Sequence, residues 1–210
     1  PPFEVSVFAD PSGAFTTAAG MVAITEKHLN DKFSQNLDKS NVVILGGTGP
    51  VGVASAVICA KAGANVTLVG RSLEKAEKIA GICNDRYDSK NIKGGADADK
   101  SDFFNAADIV LNTGAAGIQL MSEEHIKNSN TLKICADTNA VPPSGIAGVD
   151  VMDNGKVIDM SPSKCLGIGA LAIGNIKYKS QHECLKLMYT SEKPVYLDFE
   201  DAFKFAQKSV

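Results

Sequence analysis

Residues 42–52 read VVILGGTGPVG: a short apolar run ends in a glycine-rich turn, and small apolar residues follow. No other feature of the chain constrains its fold as much. An apolar run of strand length that breaks at glycines and resumes as PVGVASAVICAKA (50–62) predicts strand 41–45, a tight turn and a helix. A second apolar run, NVTLV (65–69), follows at once, with Gly63 placed to close the helix in a left-handed conformation. Strand, turn, helix and strand in this order form a βαβ unit, in which the strands lie parallel and the helix crosses over one face.

The rhythm continues through the middle of the chain. Ser72 is placed to cap a helix over 73–84. SDFFNAADIVLNTGAAG (101–117) gives a short helix, a buried strand at 108–112 and a second glycine-rich loop. Ser122, with Glu123 and Glu124 at the favourable dipole end, opens another helix. LKICADT (132–138) is a strand running into a loop rich in Pro and Gly, and KVIDM (156–160) is a last strand candidate. Short apolar strands alternating with helices imply an α/β fold with a Rossmann-like, doubly wound parallel sheet covered on both faces. Ahead of it lie a strand candidate at 3–8, a turn at 10–13, a helix over 16–29 and a polar connector at 30–40. Behind it, residues 169–191 read as one long helix weakened near Gly174. Residues 198–209 read as a short amphipathic one, with Asp198 as cap and Phe199, Ala202, Phe203 and Ala206 on one face.

The totals exclude some classes of function. The 210 residues carry a formal net charge of −3, which speaks against a broad nucleic-acid or membrane surface. Five scattered cysteines, with no C-x-x-C pair, suit reduced thiols in a cytoplasmic protein and give no metal motif. The opening PPFEVSV has neither Met nor a basic-then-apolar leader, and reads as the start of a piece of a longer protein.

Gly47-Thr48-Gly49-Pro50-Val51-Gly52 matches G-x-G-x-x-G in its proper context, after a strand and opening a helix. Glycines here permit a tight turn, close approach of backbone to a pyrophosphate, and close helix–strand packing, while the helix N-terminus favours the anion. A site for NAD normally ends its second strand in an acid that binds the ribose 2′-hydroxyl. Here that place reads Gly70-Arg71-Ser72, with Lys75 one turn on. Arginine clamps a 2′-phosphate and an acid would repel it, so these residues point to NADP, with NAD as a secondary cofactor. The bland alternatives are a plain βα turn and a solvated arginine. At the neighbouring strand ends, NTGAAG (112–117) supplies Thr113, Gly114 and Ala115 as a backbone wall for the cofactor. ADTNAVPPSGIAG (136–148) supplies Asp137 and Asn139 to a substrate wall, unless both loops are merely structural. Lys177 and Lys179 point in different directions from the tail helix and are solvated on the plainest reading. No general base for an alcohol proton stands out.

The runs DPSGAFTTAAGMVA (10–23), GGTGPVG (46–52), VGRS (69–72), ADTNAVPPSGIAGVD (136–150) and LGIGALAIGNIKYK (166–179) together resemble the NAD(P)-dependent methylene-tetrahydromethanopterin dehydrogenases. The resemblance covers nearly the whole chain. It implies hydride transfer from N5,N10-methylene-tetrahydromethanopterin to NADP⁺, with methylene-tetrahydrofolate as a second substrate, in a homo-oligomer. It also implies a first domain that is mostly missing here. Residues 1–40 are then the remnant of that substrate domain with its connecting helix, 41–165 the cofactor-binding domain, and 166–210 the C-terminal helices. Lys177 matches a cleft lysine of the family, and Asp10, Thr16 and Thr17 match a stretch at the domain junction, where Asp10 orients the pterin or shapes the turn. The alternatives are a shikimate-type NADP dehydrogenase, which needs a Lys–Asp acid/base pair, and an NADP-binding module without turnover.

Overall fold

The computed structural model describes residues 3–210. Strand β1 (Val7–Phe8) leads through a 3₁₀ turn at Pro11–Gly13 into helix α1 (Ala14–Phe33). Then follow β2 (Asn41–Leu45), α2 (Pro50–Lys61), β3 (Asn65–Gly70), α3 (Leu73–Tyr87), β4 (Ile92–Ala96), α4 (Lys100–Asn105) and β5 (Ile109–Asn112). The chain continues as α5 (Glu123–Asn128), β6 (Ile134–Asp137), β7 (Asn154–Val157), β8 (Leu166–Ile168), α6 (Ala170–Thr190), β9 (Tyr196–Leu197) and α7 (Phe199–Ser209).

The main sheet has the order β4-β3-β2-β5-β6-β8-β7, parallel throughout except for the β7–β8 edge pair. The order reverses at β2, between β3 and β5, which is the switch point of a doubly wound sheet. The strands are buried on both faces, and their alternating side chains feed two cores. Val42, Ile44, Val66, Leu68, Ile109 and Leu111 pack with α1, α2, α6 and α7. Val43, Leu45, Val69, Val110 and Cys135 pack with Phe104 of α4 and Ile126 of α5.

Helix α1 lies inside the larger layer, against α2, α6 and α7. It is buried over most of its surface because Ala18, Ala19, Gly20 and Ala23 are small enough to let its neighbours close in. Its last turn is joined to the amino end of β2, so its first turn lies at the carboxyl edge of the sheet. Helix α6 leaves β8 at that same edge. Thus α1 and α6 both start at the carboxyl edge of the sheet, the edge that also carries the glycine turn.

Several expected boundaries shift. The first strand is only Val7–Phe8, paired with β9 rather than with the main sheet. Helix α1 extends to Phe33, absorbing the start of the polar connector, and α3 extends to Tyr87. The last strand candidate sits at 154–157, not 156–160. Strands β4, β8 and β9 were not expected, and Leu166–Ile168 puts the sheet beyond residue 165. The expected caps hold: Ser72 Oγ accepts from Lys75 N–H at 3.3 Å and Asp198 Oδ1 from Glu200 N–H at 2.8 Å. All five cysteines are free and buried, and burial pushes the Cys59 thiol up to about 12, which leaves it unreactive.

Helix α5 opens with a capping box in which His125 plays the part usually taken by Glu or Gln. Its Nδ1 accepts the Ser122 N–H at 3.0 Å, its Nε2 lies 3.2 Å from Ser101 Oγ of α4, and its ring meets Phe104 edge-on at 5.1 Å. Burial first, and Lys100 second, hold its pKa below the ordinary 6.5. The unfolded chain therefore takes up this proton more readily than the folded one, so the contribution is complete above 6.5 and lost as pH falls through the lowered value. We expect His125→Gln, which keeps the box but cannot titrate, to show a smaller drop in Tm than wild type on acidification from neutral pH. Thermal unfolding across that range checks it, and equal drops would refute it.

Candidate functional site

The glycine turn is built by backbone contact. Gly46 takes the left-handed conformation (φ +65°), one residue ahead of the motif, and turns the chain out of β2. Gly47 N–H then donates to Val69 O at 3.0 Å and ties the turn to β3. A β-carbon on Gly47 would lie 2.7 Å from Leu68 Cδ2, and one on Gly52 only 2.6 Å from Gly47 Cα. Those two glycines serve packing within the protein. Gly49 is different: a β-carbon there would meet nothing nearer than Gly46 O at 3.5 Å, so its bare side faces open space. Helix α2 starts at Pro50, and no side chain caps it. The first-turn N–H groups and the positive end of the helix dipole are thus presented to that space, which is the arrangement a pyrophosphate needs.

The register Leu45↔Val69 sets the end of β3 beside the turn. Thr48 completes the contact, its methyl packing where Gly70 lacks a side chain, 2.8 Å from the position a β-carbon would occupy. Beyond it Arg71, Ser72 and Lys75 are all exposed at the start of α3. The Arg71 guanidinium makes no hydrogen bond or ion pair among the described residues. Ser72 uses a lone pair to cap α3 and keeps its O–H to donate. The structure therefore brings the expected Gly47–Gly52 turn and the Arg71-Ser72-Lys75 cluster together on one edge.

On the other side of the switch point the loops are tied to each other. Thr113 donates both its N–H and its hydroxyl to Leu45 O, each at 2.9 Å, which anchors the second glycine loop to the first. Gly114 N–H donates to Asn112 Oδ1 at 3.1 Å, and Ala115 is exposed at the loop's tip. Asn112, fully buried, donates through Nδ2 to Asp137 Oδ1 at 2.7 Å. Asp137 is 1% exposed and also accepts from Asn139 N–H at 2.9 Å and Ile146 N–H at 3.0 Å. Asn139 accepts from Gly117 and Val141 N–H and donates to Pro143 O at 2.7 Å. Asp137 and Asn139, expected at a substrate wall, are buried here, with their polar atoms engaged in pinning the loop. Asn112 is the hub that sequence reasoning overlooked. Its signal was a polar residue closing the apolar run IVLN.

The Asp10 turn is similarly self-contained. Asp10 Oδ1 accepts from the N–H groups of Phe15 (2.9 Å) and Thr16 (3.1 Å), and its Oδ2 from the Thr16 hydroxyl at 2.7 Å. Thr17 donates its hydroxyl to Gly13 O at 2.6 Å. Asp10 is thus the cap of α1, reaching across the 3₁₀ turn, and the two threonines brace that turn. The three are framework for the edge, with their polar atoms engaged inside it.

Lys177 of α6 runs along α1 to this turn. A β-carbon on Gly13 would lie 2.7 Å from Lys177 Nζ and 3.3 Å from its Cε. The half-buried lysine makes no hydrogen bond or ion pair through Nζ among the described residues, and it forms no pair with Asp10. Lys179 instead points away and donates to Ser209 O at 3.3 Å. Among the described residues there is no cluster of His, Cys, Asp and Glu suited to a metal, and no helix long and apolar enough to cross a membrane.

The edge thus offers an uncapped helix start, an unpaired exposed guanidinium and an unpaired lysine, joined by rigid loops. Such an arrangement is suited chemically to an anionic ligand along the switch point. No family model matches the chain. Among curated proteins it is similar to the NAD(P)-dependent methylenetetrahydromethanopterin dehydrogenase of Methylorubrum extorquens, 40% identical over 209 residues, covering 98% of this chain and 70% of the relative. It is also similar to the bifunctional protein MdtA of the same organism, at 35% identity over 99% of this chain and 69% of that protein. Among solved structures, shikimate 5-dehydrogenase of Listeria monocytogenes shares the fold at 13% identity and a TM-score of 0.57, over 95% of this chain and 71% of that one. Quinate dehydrogenase of Corynebacterium glutamicum does so at 15% identity and a TM-score of 0.55, over 90% of this chain and 62% of that one. From the extent and identity of the first similarity, the chain belongs to the family of NAD(P)-dependent methylenetetrahydromethanopterin dehydrogenases.

Proposed function

We propose that the chain works as an NADP-dependent oxidoreductase of one-carbon metabolism, taking a hydride from N5,N10-methylene-tetrahydromethanopterin. Methylene-tetrahydrofolate is its second substrate and NAD its secondary cofactor. The observation that carries this reading is the pairing of the open Gly49 turn with an unpaired Arg71 at the adjacent strand end, in a chain of this family.

The cofactor, when bound, supplies the ring that accepts the hydride. The α2 N-terminus and the Gly47–Gly52 turn hold its pyrophosphate. Arg71, Ser72 and Lys75 surround the 2′-phosphate with charge and donors. The loop at Thr113, Gly114 and Ala115, fixed to Leu45, forms a stiff wall toward the reacting ring. The substrate carbon lies between two nitrogens, whose lone pairs stabilise the cation left as hydride departs. No proton moves, so the step needs no acid or base, and the protein contributes alignment.

Lys177 orients the pterin by donating hydrogen bonds from the edge of the cleft. Its positive charge opposes the developing cation, so its use is in placement rather than charge stabilisation. The Asp10, Thr16 and Thr17 turn and the loop pinned by Asp137 and Asn139 shape the walls around it. Residues 1–40 are part of the substrate side of the cleft and 41–165 of the cofactor side, in a cytoplasmic homo-oligomer. The buried free thiols and the exposed apolar Leu171, Tyr178 and Tyr189 on α6 support those last two readings.

Two measurements test this. Arg71→Ala removes charge-assisted hydrogen bonds of about 2 kcal/mol and is expected to weaken NADP⁺ binding about 30-fold. NAD⁺ binding should change less than about twofold, and equal weakening by titration would refute the 2′-phosphate role. Lys177→Met keeps the unbranched stem out to Cε and loses the ammonium donor. It should lower pterin-dependent NADPH formation by about 10- to 100-fold with NADP⁺ affinity intact. Unchanged turnover would remove Lys177 from the site.

A further inference from the structure

Lys177 owes its position to a glycine on another helix. A β-carbon on Gly20 of α1 would lie 2.9 Å from Lys177 N, 3.0 Å from Ile173 O and 3.3 Å from Lys177 Cα. All three are backbone atoms of α6. They are held by that helix's own hydrogen bonds and cannot step aside singly, so a side chain on Gly20 must displace α6 as a body. Ordinary carbon contacts need about 3.5–4.0 Å, which puts that displacement at roughly half an ångström to one ångström.

The opposite end of the lysine also meets a glycine. Gly13, the residue just before α1, and Gly20 within it are seven residues apart, and the lysine lies between them: its backbone against Gly20, its ammonium against Gly13. Side chains on a helix lean toward its N-terminus, and α1 and α6 both start at the carboxyl edge of the sheet. The Lys177 stem is therefore carried along α1 toward the cleft.

We propose that Gly20 is a positioning residue for the reaction: by seating α6 backbone-to-backbone on α1, it sets where the Lys177 ammonium is delivered. This rests on the reading of Lys177 as the lysine that orients the substrate. It goes beyond that reading by placing the control of that lysine about two turns away, in a residue that touches no ligand.

The test is a double-mutant cycle on the full chain, following NADPH formation with methylene-tetrahydromethanopterin. Gly20→Ala is expected to lower kcat by about 10- to 100-fold, because a misplacement near one ångström costs that much, and to leave the KM for NADP⁺ within about twofold. The same change made in Lys177→Met should cost nothing further, since the group it positions is gone. Gly174→Ala, on α6 with no heavy atom within 4 Å of its added carbon, should keep wild-type kcat. Full additivity of Gly20→Ala and Lys177→Met would reduce Gly20 to general packing, and wild-type kcat in Gly20→Ala would overturn the proposal outright. If Gly20→Ala does not fold, Lys177→Arg tests the same point, as it keeps charge and helix seat but lengthens the reach; retained kcat there counts against positioning. If the wild-type chain forms no NADPH, the functional reading fails. Acetic anhydride labelling of Lys177, read by mass spectrometry against Lys179, then decides the positioning claim alone. A several-fold change in Gly20→Ala upholds it, and an unchanged ratio overturns it.

Discussion

The contact between Gly52 and Gly47 governs the rest of the structure. With no side chain on either, the first turn of α2 rests on the turn that precedes it, at a separation a β-carbon could not share. This seats the start of the helix directly over the glycine turn, so that its free amides converge on one small volume. The same turn is hydrogen-bonded to β3 through Gly47 N–H, and Gly47 lies flat on Leu68. β3 is thereby fixed in the register that carries Gly70 and Arg71 to the same edge. The pairing of β2 with β3 and the placement of Arg71 beside the turn follow from one close approach.

The two sides of the switch point are built on opposite principles. On the β3 side Arg71, Ser72 and Lys75 are exposed and the Arg71 guanidinium has no partner among the described residues, as the proposed phosphate site requires. On the β5–β6 side the polar groups face inward. Asp137 is a buried carboxylate held by three N–H donors, without a cationic partner within hydrogen-bonding reach. Such a group is tolerated only when its acceptors are satisfied, and the donors that satisfy it come from three segments: Asn112, Asn139 and Ile146. The outcome is a stiff pair of loops. Alignment of two rings for hydride transfer depends on stiffness more than on charge, so the division matches the proposed chemistry.

How far the sequence revealed this depended on which physical signal each residue carried. The βαβ unit, its glycine turn and the Arg71 substitution for an acid were all legible, because apolar periodicity and glycine spacing report backbone constraints directly. The caps Ser72 and Asp198 were legible for the same reason. β4 was hidden: IKGGA has almost no strand propensity, and its glycines answer to close neighbours, Gly94 to the α3 backbone at Glu77 and Gly95 to the Phe103 ring of α4. β8 is only three residues long, LGI, too short to show a strand period. The inward hydrogen bonding of Asp137 and Asn139 was not legible, because a carboxylate and an amide in a Pro-rich loop look alike whether they face a ligand or their own backbone. Burial distinguishes them, and burial is a property of the fold.

Lys177 shows why its seat on α1 matters to the chemistry. An ammonium beside a carbon that is losing hydride raises the energy of the cation it leaves, steeply at short range in a site that excludes water. An ammonium too far away orients nothing. A lysine that serves this reaction must therefore be held within a narrow range of distance, although its four-carbon stem is among the most flexible in proteins. Rigidity has to come from the groove, and the groove here has a floor of two glycines with α6 pressed against it. Gly20, which looks in the sequence like one more small residue of an alanine-rich helix, lets the α6 backbone sit close enough to fix where the Lys177 stem begins.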